Sequence, residues 1–224
     1  MTEDLTAFLT PGPTVESGHP DIVAFARANH DPDASIREKA VQIYYAVRDG
    51  FRYDPYTSAL DVEGLRATRV LAEGRGWCVS KAILMAAACR AAGVPARLGF
   101  ADVRNHMSTE KMRERMKTDI FYWHGYTSTL IDGQWIKSTP AFNVELCDRF
   151  GLKPLEWDGT ADSIYHPIDK AGNRHMEYLN YRGEFAEPPL DRMIATFVEH
   201  YPHWRDRANS TAGDFDAEVA RETA

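Results

Sequence analysis

Gly74-Arg75-Gly76-Trp77-Cys78-Val79-Ser80-Lys81 runs on through Ala82-Ile83-Leu84-Met85-Ala86-Ala87-Ala88-Cys89 and closes at Gly93-Val94-Pro95. Its reading decides the fold. Two glycines make a turn, and the run that follows is apolar on nearly all sides. That pattern predicts a central, buried helix from Cys78 to about residue 92, stopped by Gly93. Past Pro95 the period changes, and residues 96–103 read as a strand. Residues 108–117 are charged and predict a surface helix. A long strand rich in aromatics and threonine follows from Ile120 to Ile131. Asp132-Gly133 signals a hairpin turn, and residues 134–139 are the return strand.

Upstream, residues 1–20 are punctuated by Pro11, Pro13 and Pro20 and read as an arm lying on the domain. Residues 21–29 suggest a short helix. Ser35 and Glu38 have the spacing of a capping box, and Ile36, Ala40, Ile43 and Val47 mark the apolar face of a helix ending at Gly50. An aromatic loop (Phe51, Tyr53, Tyr56) and a short helix near 67–72, closed by Gly74, complete the first half. Downstream, a last helix is predicted over Leu190–His200, and residues 205–224 are polar and predict a disordered tail. Helices first and antiparallel strands afterwards give an α+β fold, with residues 1–204 as one domain.

The chain has 224 residues, 44% of them hydrophobic, enough for a sizeable core. A net charge of −7 without a basic block argues against nucleic acid as a partner. The apolar run at 82–89 is far too short to cross a bilayer, and Met1-Thr2-Glu3-Asp4 lacks a signal-peptide pattern. The expectation is a cytoplasmic protein that does not engage membranes. Three cysteines make a poor disulfide framework and suit a reducing compartment. No cluster has metal-ligand spacing and no phosphate loop is present, so no metal or cofactor is expected.

A thiol becomes a good nucleophile when its thiolate is stabilised, as the unpaired N–H groups of a helix N-terminus can do. Cys78 stands at such a point. Gly74 and Gly76 allow a substrate close to the backbone, and the N–H groups of the turn are candidates for an oxyanion hole. A lone cysteine is more often a small buried hydrophobe; Cys89 in mid-helix fits that description, and Cys147 fits it weakly. Of the eight histidines, His124 is best placed as the base, between Trp123 and Gly125 in the long strand. On its own it would read better as a core histidine. A two-residue hairpin loop pairs Ile131 with Gln134, so Tyr126 faces Thr139 and His124 faces Ala141. His124, Tyr126, Trp135, Lys137 and Thr139 then share one sheet face, and Thr139 rather than Ser138 can orient the imidazole. Trp77, Tyr53, Tyr56 and His106 are candidates to line a substrate cleft.

The ordered set Gly76-Trp77-Cys78, Gly93-Val94-Pro95-Ala96-Arg97-Leu98-Gly99-Phe100, His124, Trp135 and Thr139-Pro140 resembles the transglutaminase-like cysteine enzymes. Residues 99–106 and 137–143, with Leu155-Glu156-Trp157-Asp158-Gly159 and His175-Met176-Glu177-Tyr178, look like a bacterial branch of that superfamily. The resemblance implies a papain-like core, a nucleophile helix packed on an antiparallel sheet, and a Cys-His-Asp triad in that order. It also implies an acyl-thioenzyme, serving transamidation, amide or peptide hydrolysis, peptide deglycosylation, amide synthesis or thioester cyclisation. The substrate would be a small molecule, a peptide or an acyl thioester.

One departure matters. The third triad member is usually an Asp before Pro, and here that place holds Thr139. A threonine accepts the imidazole N–H but carries no charge to stabilise imidazolium, and in a serine triad Asp to Asn costs about 10⁴ in rate. Asp102, at the end of the strand after the nucleophile helix, is a substitute candidate. A salt bridge to Arg104 or Arg97 explains it equally well, and Asn143 is a third possibility. The competing reading is a transglutaminase-like binding module without catalysis, which Thr139 favours and which predicts a Cys78 of ordinary reactivity. Exchange of the N-terminal arm across a homodimer is a further expectation.

Overall fold

The computed structural model describes residues 4–105, 108–164, 170–172, 176–201 and 215–222. The N-terminal half is helical. Helix α1 (Pro20–Ala28) starts on a proline and buries Ile22 and Ala26. Helix α2 (Ile36–Gly50) has its capping box in place, with Ser35 and Glu38 each satisfying the other's backbone N–H. Ala40, Ile43 and Val47 are fully buried, but Ile36, in the first turn, is exposed. Strand β1 (Arg52–Tyr53) replaces part of the expected aromatic loop. Helices α3 (Val62–Leu65) and α4 (Ala67–Glu73) follow, the latter ended by Gly74 at φ +65°, where a side chain would be strained. Strand β2 (Arg75–Gly76) then pairs in parallel with β1.

Helix α5 (Cys78–Ala91) is the axis of the fold, and every residue from Cys78 to Arg90 is buried. Even its polar members are satisfied inside. Lys81 Nζ donates to the carbonyls of Arg48, Phe51 and Ala141 at 2.9, 2.6 and 2.8 Å. The guanidinium of Arg90 donates to the carbonyls of Ala96, Thr10 and Ala186. The first set ties α5 to the end of α2 and to the loop after the hairpin; the second ties it to the N-terminal arm.

The sheet against α5 comprises β3 (Ala96–Asn105), β4 (Ile120–Ile131), β5 (Gln134–Ser138) and β6 (Met176–Phe185), antiparallel in the order β5-β4-β3-β6. Helix α6 (Glu110–Met116) connects β3 to β4 and buries Met112 and Met116. The hairpin has the expected register, Ile131 facing Gln134 through Thr127 facing Ser138. Thr127 Oγ1 donates to Ala82 O, placing that face of β4 on α5.

Helix α7 (Val144–Arg149) and strand β6 are absent from the sequence reading. Strand β6 escapes it because it is a half-exposed edge strand without regular alternation and with a break at Gly183 (φ +108°). Helix α8 (Leu190–His200) has its expected bounds. The expected tail needs a correction: Phe215–Glu222 forms helix α9. Phe215 and Val219, four residues apart, share one face and are buried, and the buried Glu218 accepts from Tyr56 and Lys111. The remainder of 205–214 lies outside the described residues.

Candidate active site

Cys78 opens α5, and the residue before it, Trp77, carries no side-chain acceptor that could consume the first-turn N–H groups. Instead the Trp77 N–H donates to Ser80 Oγ at 3.1 Å, which fixes the entry of the chain. A Cβ on Gly76 would lie 2.6 Å from Ser80 Oγ, so only glycine fits that turn. The helix meets the sheet at Gly125, where a Cβ would come within 2.8 Å of Val79 Cα. Cys78 and His124 are therefore the chain neighbours of two residues, Val79 and Gly125, in tight helix–strand contact.

Burial pushes the Cys78 thiol up to about 11, outweighing the backbone N–H groups of Gly125, Val79 and Cys78 itself, which favour thiolate. Cys78 is only 6% exposed. Burial at the head of the helix thus opposes the thiolate stabilisation that the helix N-terminus offers. Cys89 and Cys147 are also buried and free, and each is pushed up to about 12 by burial. Trp77 and Tyr53 are nearly covered, and Tyr53, Tyr178 and Tyr201 lie within electrostatic reach of Cys78. Tyr56, also expected in the cleft, hydrogen-bonds Glu218 of α9, while Phe215 packs its ring on both Tyr53 and Tyr56. His106 lies outside the described residues.

His124 and Thr139 line one small pocket with Ala141, Phe142, Leu155, Ile164 and Met176. Thr139 Oγ1 donates to Ile164 O at 3.0 Å, and the Tyr178 hydroxyl donates to the same carbonyl at 2.8 Å. The Tyr178 ring stands perpendicular to the imidazole of His124, with centroids 6.3 Å apart. The wall is braced from α2: Tyr44 and Arg48 both donate to Leu155 O. Tyr201 is the residue that sequence reasoning missed here, since nothing in its local pattern separates it from other tyrosines. Tyr178 stands in one of the runs that resemble the family, with no role in the site expected of it.

Asp102 and Asn143 are engaged elsewhere. The Asp102 carboxylate receives Arg182 Nε at 2.9 Å to both oxygens, Arg182 Nη2 at 2.8 Å and the Trp123 N–H at 3.2 Å. Its salt bridge is thus to neither of the arginines considered from sequence. Arg97 pairs with Glu184, and Arg104 with Asp119 and Glu177. Asn143 Oδ1 accepts from the Tyr53 N–H, which ties β1 to the loop after the hairpin. Among the described residues, no group of three or more His, Cys, Asp or Glu is arranged to hold a metal, and no helix is long and apolar enough to cross a membrane.

Fold and site define an α+β protein with a cysteine at the head of a buried helix and a histidine on the adjoining antiparallel strand. The family model of the transglutaminase-like superfamily matches residues 23–140, and the chain belongs to that superfamily. No curated protein matches the chain. Among solved structures it is similar to a candidate cysteine protease from Cytophaga hutchinsonii, at 18% identity and a TM-score of 0.49, over 82% of this chain and 55% of that one. It is also similar to a candidate protease from Parabacteroides distasonis, at 18% identity and a TM-score of 0.38, over 52% of this chain and 22% of the other. The chain therefore spans about half of the first relative and less than a quarter of the second.

Proposed function

We propose that the protein is a cysteine-nucleophile enzyme acting on an amide or thioester through an acyl-thioenzyme, with Cys78 as nucleophile and His124 as base. The observation that carries this reading is the place of Cys78 at the head of α5, where Val79 lies against Gly125, the residue next to His124. The backbone N–H groups of Gly125, Val79 and Cys78 favour its thiolate. Because the resting thiol is neutral, His124 acts as general base: it takes the Sγ proton as sulfur attacks the acyl carbon. The oxyanion that forms is received by N–H groups at the start of α5. His124 then returns the proton to the departing amine or thiol, leaving an acyl–Cys78 thioester. Water, an amine or a carbon nucleophile releases the acyl group, giving hydrolysis, transfer or cyclisation respectively.

Thr139 takes the position of the third member. Its hydroxyl hydrogen is committed to Ile164 O, which leaves its lone pairs as acceptors for an imidazole N–H. Without a carboxylate, stabilisation of imidazolium is weaker than in a charged triad.

The test is to incubate the protein with a panel of acyl thioesters and peptide amides and follow the intact mass. An acyl adduct on Cys78, absent in Cys78→Ala and slowed in His124→Ala and Thr139→Ala, supports the reading. The alternative is a binding module of the same fold. It predicts no adduct with any donor and equal alkylation of Cys78 in wild type and His124→Ala.

A further inference from the structure

The strand that carries His124 is irregular immediately before it. Ala101 pairs with His124 and Val103 with Phe121, so Tyr122 and Trp123 of β4 together oppose Asp102 alone. This is a β-bulge, and Trp123 within it has φ +60°, a left-handed conformation that a bulky side chain avoids. Both bulge N–H groups are met by side chains. That of Tyr122 donates to the Tyr201 hydroxyl at 2.9 Å, and that of Trp123 donates to Asp102.

A second bulge lies on the other side of β3. Phe100 pairs with Gly183 and Ala101 with Tyr181, so Arg182 of β6 has no counterpart. Released from the ladder, Arg182 grips Asp102 with Nε and Nη2, and its guanidinium carbon lies 5.0 Å from the Trp123 ring centroid. The Trp123 ring is fully buried against Phe100. Arg182, Asp102 and Trp123 thus form a line across three strands that ends one residue from His124.

We propose that Arg182 and Asp102 are positioning residues for His124: the ion pair holds the Trp123 N–H, and through it the left-handed bulge that sets the direction of the imidazole. This inference rests on His124 being the base for Cys78. A bulge re-aims the side chains beside it, and a misplacement of about 1 Å can cost a catalytic group about 100-fold. The bulge needs an acceptor aimed at Trp123, and Asp102 is aimed chiefly by Arg182, which holds both its oxygens, with a longer contact from Asn180 Nδ2 at 3.4 Å.

The experiment compares wild type with His124→Ala, Arg182→Gln, Arg182→Lys and Asp102→Asn in the full chain. It measures alkylation of Cys78 by iodoacetamide against pH and, by NMR, the titration of the His124 imidazole. The expected result is that Arg182→Gln and Asp102→Asn lose about tenfold or more of the His124-dependent rate and shift the imidazole titration. Arg182→Lys keeps the charge but not the two-pronged grip and restores part of both. Should Arg182→Gln fail to fold, Arg182→Lys still decides, since any intermediate rate with a shifted titration upholds the proposal. Variants that melt earlier but keep the wild-type rate and titration would overturn it and leave the pair a structural tie. If His124→Ala itself leaves Cys78 alkylation unchanged, the underlying catalytic reading fails instead.

Discussion

Gly125 lies flush against Val79: a methyl group on Gly125 would sit 2.8 Å from Val79 Cα and 3.3 Å from its N. The contact is with backbone, so no side-chain rotation relieves it, and Gly125→Ala must push α5 away from β4. Overpacking of this kind costs about 1–3 kcal/mol. The substitution should lower the urea midpoint accordingly and slow formation of any Cys78 adduct. Wild-type behaviour in both would show that the helix is free to slide on the sheet.

Lys81 should prove a structural residue of the nucleophile helix. Burial pulls its pKa down to about 7, and three carbonyl acceptors pull the other way, because only the ammonium form has three N–H groups to donate. Lys81→Met keeps the stem and orphans the carbonyls of Arg48, Phe51 and Ala141. A loss of about 3 kcal/mol is expected from denaturant unfolding, the scale of leaving buried acceptors unpaired. Equal or higher stability would mean that desolvation of the ammonium outweighs its hydrogen bonds.

Alkaline pH should destabilise the fold through its thiols. Burial raises Cys89 from 9.0 to about 12, so the folded state keeps a proton that the unfolded chain releases. That contribution is fully present below pH 9 and is lost as pH rises toward 12, at about 1.4 kcal/mol per pH unit. The check is the difference in unfolding free energy between wild type and Cys89→Ala, measured from about pH 8 to 10.5. The cavity left by the substitution is the same at every pH and drops out of the slope. Parallel pH profiles would show that Cys89 titrates normally.

Helix α9 packs on the aromatic residues expected from the sequence to line a cleft. Phe215 packs on Tyr53 and Tyr56, and Glu218 accepts from Tyr56 and Lys111. Phe215→Ala combined with Glu218→Gln should loosen α9, admit water to Cys78 and bring its thiol down from about 11. Alkylation near pH 8 should then rise by about tenfold, the effect of one pKa unit. An unchanged rate would place the cover of Cys78 elsewhere, with Trp77 and Tyr201 the next residues to vary.

Local order was readable from the chain because it is written in local chemistry. The Ser35–Glu38 box, the all-round apolar run after Cys78 and the Asp132-Gly133 turn each specify their element within a few residues. The register of β4 on β5 follows from the turn. Cys78 and His124 stood out for the same reason, one at the head of a helix and the other in a strand of known phase. Strand β6 was not readable, since an edge strand need not alternate and Gly183 interrupts it. Helix α9 was hidden because its apolar face is two residues in a polar segment.

What the sequence by itself determined is the family, the α+β order of elements, and the cysteine and histidine on which the proposed chemistry rests. What only the tertiary structure decided is how that pair is surrounded. Asp102 is held by Arg182, 80 residues away in the chain, and Trp123 is turned left-handed between them. Cys78 is buried, which pushes its thiol up to about 11. Periodicity fixes which way a side chain points only while a strand is regular. At a bulge the phase is broken, and partners are then chosen by whatever other strands bring alongside. Burial, likewise, is a property of everything packed around a residue, and no local pattern contains it.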